Sequence, residues 1–247
     1  MSVVALADGC NWGTKPQEAA ILASNELVSY IGFRYHLITD VRTMGRNLLK
    51  AFMMAHKKII APKEDVWDAG TTTLLGGIAM QLQPDASAEP SAPKQWALVC
   101  ASVGDCKAFV YSPSTHLIRE ITVGNRNNLI DASDCGGRLG PYKGNGTSRE
   151  ERLRASERAS TRGTFAYLLC LRIGDPDLRN LNLYYQQTES GDIVILVSDG
   201  VHDNFDPQML GVSPREVGLS IDSWADAERD EATRQQVEIA KRTFMLK

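Results

Sequence analysis

The sequence predicts an α+β fold with mainly antiparallel sheets, on three observations. Two segments near the start carry apolar residues at helical spacing. Beyond them the period changes to short apolar runs, often β-branched or aromatic, separated by Gly, Pro, Asp and Asn. Several of these runs lie close enough for hairpin connections, which parallel strands cannot use.

The run VVALA, before Asp8, reads as a first strand. A helix follows over about residues 15–34: Thr14-Lys15-Pro16-Gln17 has the pattern of a capping box with proline in the first turn, and Ala20, Leu27, Val28 and Ile31 recur at helical spacing. In the next helix Val41, Met44, Leu48, Phe52, Ala55 and Ile59 step by three or four after a possible Asp40 cap, and Pro62 lies just past its end. Strands are then expected in TTTLLGGIAMQL, QWALVCAS, CKAFVYS, HLIREIT, FAYLLCLRI, NLYYQQT and DIVILVS, with a tight turn at Val103-Gly104-Asp105. From Pro207 the chain reads as helical again, around Trp224, Val237, Ala240 and Phe244. Pro84–Pro93 has the composition of a linker between strands, and Gly136–Arg162 that of a loop. Residues 143–162 carry six Lys or Arg against three Glu, a run that reads first as a solvated loop and second as a grip for phosphate or a partner.

Composition narrows the function classes. With 43% hydrophobic and 23% charged residues the chain can bury a sizeable core. Its net charge of −3 supplies no cationic field for nucleic acid or an anionic membrane, and aromatic residues are not interleaved with the basic ones of the 149–162 segment. No run is long and apolar enough to span a bilayer, and the start lacks the features of a signal peptide, so an intracellular protein, cytoplasmic or nuclear, is expected. Five cysteines without a C-x-x-C pair argue against a disulfide framework or a zinc site.

Three aspartates stand where an apolar strand stops: Asp8, Asp105 and Asp199, with Asp203 four residues beyond the last. One aspartate at a strand end is usually a turn former or a helix cap. Several carried to one edge by rigid strands can converge, and clustered ionised carboxylates then need a cation, because their repulsion otherwise raises their pKa values. Oxygen-only ligation suits Mg²⁺ or Mn²⁺ rather than zinc or copper, and two such ions can activate a water for in-line attack on a phosphate ester. Glycine after Asp8 and after Asp199 lets the backbone come close to an ion, and the Gly9 carbonyl is itself a candidate ligand.

At these residues the sequence resembles the metal-dependent, type 2C serine/threonine protein phosphatases. Asp8-Gly9 with Gly13 is similar to that family's first metal motif, and Ala69-Gly70-Thr71-Thr72-Thr73 to its Gly-Ser/Thr-Thr-Ala strand. Ser102-Val103-Gly104-Asp105-Cys106-Lys107-Ala108 resembles its Asn-Val-Gly-Asp-Ser-Arg-Ala hairpin, and Val197-Ser198-Asp199-Gly200-Val201-His202-Asp203 its Ala-Ser-Asp-Gly-Leu-Trp-Asp element. The four pieces stand in family order and at roughly family spacing.

The resemblance implies a sandwich of two antiparallel sheets flanked by helix pairs, a single phosphatase-like domain over residues 1–247, and a phosphoprotein substrate. It implies two Mg²⁺ or Mn²⁺ ions with room for a third: Asp8 bridging two ions, the Gly9 carbonyl on one, Asp199 on the other, and Asp105 with Asp203 at the third. A metal-bound hydroxide would then hydrolyse phosphoserine or phosphothreonine, with no further catalytic side chain. The chain departs from the family pattern in three places. It begins almost at Asp8, without the strand that supplies a phosphate-binding Arg, and nothing after Asp203 matches the acidic element of the family's last strand; Asp222, Asp226 and Asp230 read as a solvated helix face. The His of the first metal motif is Cys10. These departures favour, as the alternative, a catalytically impaired pseudophosphatase that keeps the fold as a binding or regulatory module. His36, His56 and His116 read as surface or core-edge residues, and His202, flanked by Asp199 and Asp203, as a packing residue before a proton donor.

Overall fold

A computed structural model describes residues 1–82, 95–126, 131, 135–142 and 174–246. Seven strands form two antiparallel sheets. In the first, β1 (Ser2–Leu6), β2 (Leu74–Gln81), β3 (Trp96–Val103) and β6 (Asn182–Thr188) lie in that order. In the second, β4 (Lys107–Ser112) lies between β5 (Leu117–Glu120) and β7 (Ile193–Val197). The expected strand over residues 165–173, the Pro84–Pro93 linker and the basic run at 143–162 lie outside the described residues.

Alternation along β2 and β3 explains why the first sheet has two dry faces. Leu74 and Ile78, with Val99, Ala101 and Val103, join the core against the helices, whereas Leu75, Leu98 and Cys100 meet Ala108 and Val110 of the second sheet. The helix side is covered by α1 (Thr14–Arg34) and α2 (Val41–Ile60), which pack on one another and on the sheet. Met44, Leu48, Phe52, Ala55 and Ile59 of α2 are buried, as their spacing requires, and Asp40 caps the helix in a reciprocal box with Thr43. At α1 the start differs from the sequence reading: Gly13 is the cap, Thr14 is already helical and makes no capping bond, and the buried stripe is Ala19, Ala23, Leu27 and Ile31, with Val28 exposed.

After β7 the described elements are short 3₁₀ turns, a one-turn helix α3 (Asp199–His202) and α4 (Glu231–Met245). Lys241 anchors α4 from a buried position, with Nζ 3.2 Å from Asp206 Oδ2 and 2.7 Å from Gln208 Oε1. Asp222, Asp226 and Asp230 do not share a helix face. Asp222 pairs with Arg215, Asp226 closes a 3₁₀ capping box with Ser223, and Asp230 caps α4 through the Thr233 N–H. No helix among the described residues is long and apolar enough to cross a membrane.

The registers bring β1, β3 and β7 to their C-terminal ends at one edge of the sandwich: Leu6 pairs with Leu75, Val103 with Leu74, and Val197 with Lys107. The loop after β1 is wedged there against the first turn of α1. A Cβ on Gly70 would overlap the Lys15 carbonyl, and one on Gly9 would lie 2.8 Å from Pro16. Gly70→Ala should therefore destabilise the fold by about 1–3 kcal/mol, since the clash is with backbone that cannot swing away. Urea denaturation of the two chains measures this, and an unchanged midpoint would show that the loop yields.

Candidate functional site

The main chain at Asp8 is gripped by two threonines of the segment leading into β2. The Asp8 carbonyl accepts from Thr72 Oγ1 at 2.8 Å and from the Thr73 N–H at 2.8 Å, while the Asp8 N–H donates to Thr73 Oγ1 at 3.1 Å. Thr72 also forms isolated bridges with Gly9 and with Leu139. The run Gly70-Thr71-Thr72-Thr73 thus works as a clamp, with glycine for close approach and hydroxyls to satisfy a backbone that has left the sheet.

Asp105 sits on the turn joining β3 and β4. Gly104 there takes φ +99°, a left-handed conformation that favours glycine. Asn180 fixes the turn from outside: its Oδ1 accepts from the N–H of Gly104 (3.0 Å) and of Gly137 (2.9 Å), and its Nδ2 donates to the carbonyls of Gly104 (2.9 Å) and Asn125 (2.7 Å). All four of its hydrogen-bonding positions are used, as a side chain with 3% exposure requires.

Asp199 opens α3 at the end of β7, and Asp203 follows that helix directly. The Asp199 carboxyl is pushed above its ordinary value of 3.8, first by burial, then by the charge of Asp8, whose side chain is within hydrogen-bonding reach. Asp8 and Asp199, 191 positions apart in the chain, are therefore neighbours. Gly200 is not sterically required, because an added Cβ would meet only Ser198 Oγ at 3.7 Å.

Asp105 and Asp203 also come together, around a residue with no signal in the sequence. Arg126 Nη2 lies 3.0 Å from Asp105 Oδ2, and its Nη1 lies 2.9 Å from Asp203 Oδ1. Burial pushes the Asp105 carboxyl up despite this partner. At Asp203 burial acts in the same upward sense but is outweighed by hydrogen bonds from His202 and Arg126, and the carboxyl falls below its usual range. The His202 ring is buried, with Nδ1 3.0 Å from Asp203 Oδ1 and Nε2 3.1 Å from the Asp105 carbonyl. It ties α3 to the Asp105 turn, a packing role that places it between the two carboxylates.

Cys10, standing where the family motif has His, faces Cys135 with the sulfurs 3.6 Å apart. The Cys135 thiol and the nearby Arg138 charge hold the Cys10 thiol below its ordinary value, against burial. His56 is buried rather than at the core edge, and its Nδ1 accepts from the Gly140 N–H at 3.2 Å; burial pushes the pKa of the ring down. His36 and His116 are exposed.

Asp8, Asp199 and the Gly9 backbone fit a hard divalent cation in kind: oxygen donors on rigid strand ends, one carboxyl raised by burial and then by the other's charge. They are few, and among the described residues no group of three or more His, Cys, Asp or Glu side chains is arranged to hold an ion.

The chain is 28% identical over 210 residues to the PP2C-like domain-containing protein CG9801 of Drosophila melanogaster, an alignment covering 83% of this chain and 24% of that protein. The chain thus spans about a quarter of its curated relative. No family model matches. Among solved structures it is similar to the serine/threonine phosphatase PstP/Ppp of Mycobacterium tuberculosis, at TM-score 0.41 and 17% identity, covering 97% of this chain and 83% of that one. The PPM Ser-Thr phosphatase MsPP of Mycobacterium smegmatis, in complex with cacodylate, gives TM-score 0.41 and 17% identity over 97% of this chain and 82% of that one. Structural likeness at that level lends no weight to any statement about the site. The sequence resemblance to PP2C-like proteins stands on the relative and on the motifs.

A carboxyl whose pKa is raised in the folded chain binds its proton more tightly there than in the unfolded chain. Asp199 therefore costs stability as pH rises from 3.8 through its higher folded value. In EDTA at neutral pH, Asp8→Asn should stabilise the fold by relieving that repulsion, with a rise in Tm of about 2–4 °C for each kcal/mol gained. Adding Mn²⁺ should raise the Tm of the parent chain and not that of the variant. A lower Tm for the variant in EDTA would refute the repulsion between the two carboxylates.

Proposed function

We propose that this chain is a metal-dependent phosphoprotein phosphatase domain, with Asp8, Asp199 and the Gly9 carbonyl as ligands of a Mg²⁺ or Mn²⁺ centre and phosphoserine or phosphothreonine as substrate. The observation that carries the reading is the approach of Asp8 and Asp199, from strand ends of different sheets, with charge repulsion between them. Evolution of a binding surface gives no reason to hold two carboxylates against their own field; a site for cations does.

When bound, such an ion supplies a Lewis acid that makes water a nucleophile near neutral pH and offsets charge on the phosphate. The chain's own contributions are mechanical and electrostatic. The Thr72–Thr73 clamp fixes the Asp8 backbone, and with it the point from which the carboxylate projects. His202 and Arg126 tie the residues after β7 to the Asp105 turn, which holds Asp199 in register with Asp8. Beside Asp199, a cavity of about 370 Å³ lined by Gly200, Asp203, Asn204, Met209 and Leu210 offers room for a phosphorylated side chain and its neighbours.

The second reading, a pseudophosphatase serving as a binding or regulatory module, is favoured by one observation: the described residues include no three-ligand cluster. Turnover separates the two. Under the enzymatic reading the purified chain should release phosphate from a phosphothreonine peptide in Mn²⁺, and EDTA should abolish it. Asp8→Asn and Asp199→Asn should each lower the rate by about 10²-fold or more, as loss of a preorganised charge contact does. Mn²⁺ binding without phosphate release would establish the module, and a parent chain that binds no Mn²⁺ would remove the metal centre altogether.

A further inference from the structure

The Asp105–Asp203 pair already has its cation. Arg126 places Nη2 3.0 Å from Asp105 Oδ2 and 3.3 Å from Asp203 Oδ2, and Nη1 2.9 Å from Asp203 Oδ1, so the guanidinium fork spans both carboxylates. The side chains concerned have exposures of 10% for Arg126, 2% for Asp105 and 17% for Asp203. The arginine is aimed there by its neighbour: Asn125 gives its carbonyl to Asn180 Nδ2 and donates from its own Nδ2 to the Cys106 carbonyl, both at 2.7 Å. Arg126 Nε is buried with no hydrogen-bond partner among the described residues, so the whole bonding capacity found for the guanidinium is spent on the two aspartates.

A divalent ion sits about 2.0–2.6 Å from its oxygen ligands. That is inside the shell the guanidinium nitrogens occupy, and within a few ångströms of a fixed positive charge, where repulsion in a partly buried setting is strong. An ion cannot join Arg126 at this pair; it has to replace it. Replacement would leave a buried arginine uncompensated, which is costlier than keeping the ion in water.

We propose that Arg126 is a built-in substitute for the metal ion that the Asp105–Asp203 pair would otherwise hold, so that this side of the site takes no ion and its geometry is independent of metal concentration. Arg126 is thus a positioning residue: it draws the chain after α3 onto the Asp105 turn whether or not any metal is present. The statement rests on the metal-centre reading above only for the number of ions expected elsewhere, at Asp8 and Asp199.

Counting bound Mn²⁺ on the full chain, by electron paramagnetic resonance of the free ion during titration, tests it. If the parent chain binds a given number of ions, Asp105→Asn should bind the same number. Arg126→Met, which keeps the length and removes the charge, should bind one more, and Arg126→Lys should not. Adding Asp105→Asn to Arg126→Met should abolish the extra ion. Loss of one ion on Asp105→Asn with Arg126 intact would overturn the proposal, and so would a folded Arg126→Met chain that gains none. If Arg126→Met fails to fold by circular dichroism, Arg126→Gln takes its place under the same criteria. A parent chain that binds no Mn²⁺ would remove the centre at Asp8 and Asp199, while the gain of an ion on losing Arg126 would still support its role, and the absence of that gain would still refute it.

Discussion

Repulsion between like charges is the constraint around which the edge of this sandwich is built. Asp8, Asp105, Asp199 and Asp203 reach one region from three strand ends, and each pair is handled by a different means. Asp105 and Asp203 share an arginine at 2.9–3.3 Å. Among the described residues Asp8 and Asp199 have no such partner, and burial together with the charge of Asp8 raises the proton affinity of Asp199. The rest of the local structure keeps these groups from drifting apart: threonine hydroxyls on the Asp8 backbone, an asparagine on the Asp105 turn, and an imidazole between turn and helix.

The division into one neutralised pair and one strained pair has an energetic logic. A buried carboxylate paired with arginine pays its desolvation through short, charge-assisted hydrogen bonds, and removing one partner leaves the other exposed to a low-dielectric interior. A carboxylate pair with no counter-charge is the opposite case: it weakens the fold until a cation arrives. Under the proposed metal-centre reading, stability and ion binding are linked at Asp8 and Asp199, and decoupled at Asp105 and Asp203.

Much of this could be read in the sequence where the signal is local. The Asp40 cap and the three-and-four stepping of α2 are local, and both stand in the structure at the residues expected. The three strand-end aspartates were legible because each stands where an apolar run stops and two precede glycine, and Asp203 because it lies four residues past Asp199. What was not legible depends on contacts distant in the chain. Arg126 lies 21 residues from Asp105 and 77 from Asp203, in a polar stretch with no periodicity, and nothing in Gly124-Asn125-Arg126 says what its side chain will meet. Asn180 and Cys135 were silent for the same reason. At α1 a local pattern misled, since Thr14 matches a capping box but the tight packing of Gly9 and Gly70 on Lys15 and Pro16 leaves the cap position to Gly13. The aspartates at 222, 226 and 230 suggested one helix by their spacing, yet serve three separate short-range roles.

Asn180 carries a consequence for how this edge moves. Its single amide oxygen accepts the N–H groups of both Gly104 and Gly137, and its nitrogen closes onto the carbonyls of Gly104 and Asn125. Three backbone segments therefore hang on one planar group, and displacement of that side chain releases all of them together. Local opening here is collective: the solvent-exchange protection of the Gly104 and Gly137 amides should be set by one common event rather than by two independent frays. The turn that bears Asp105 is then no more labile than the segment across from it, and the edge of the sandwich behaves as one cooperative unit.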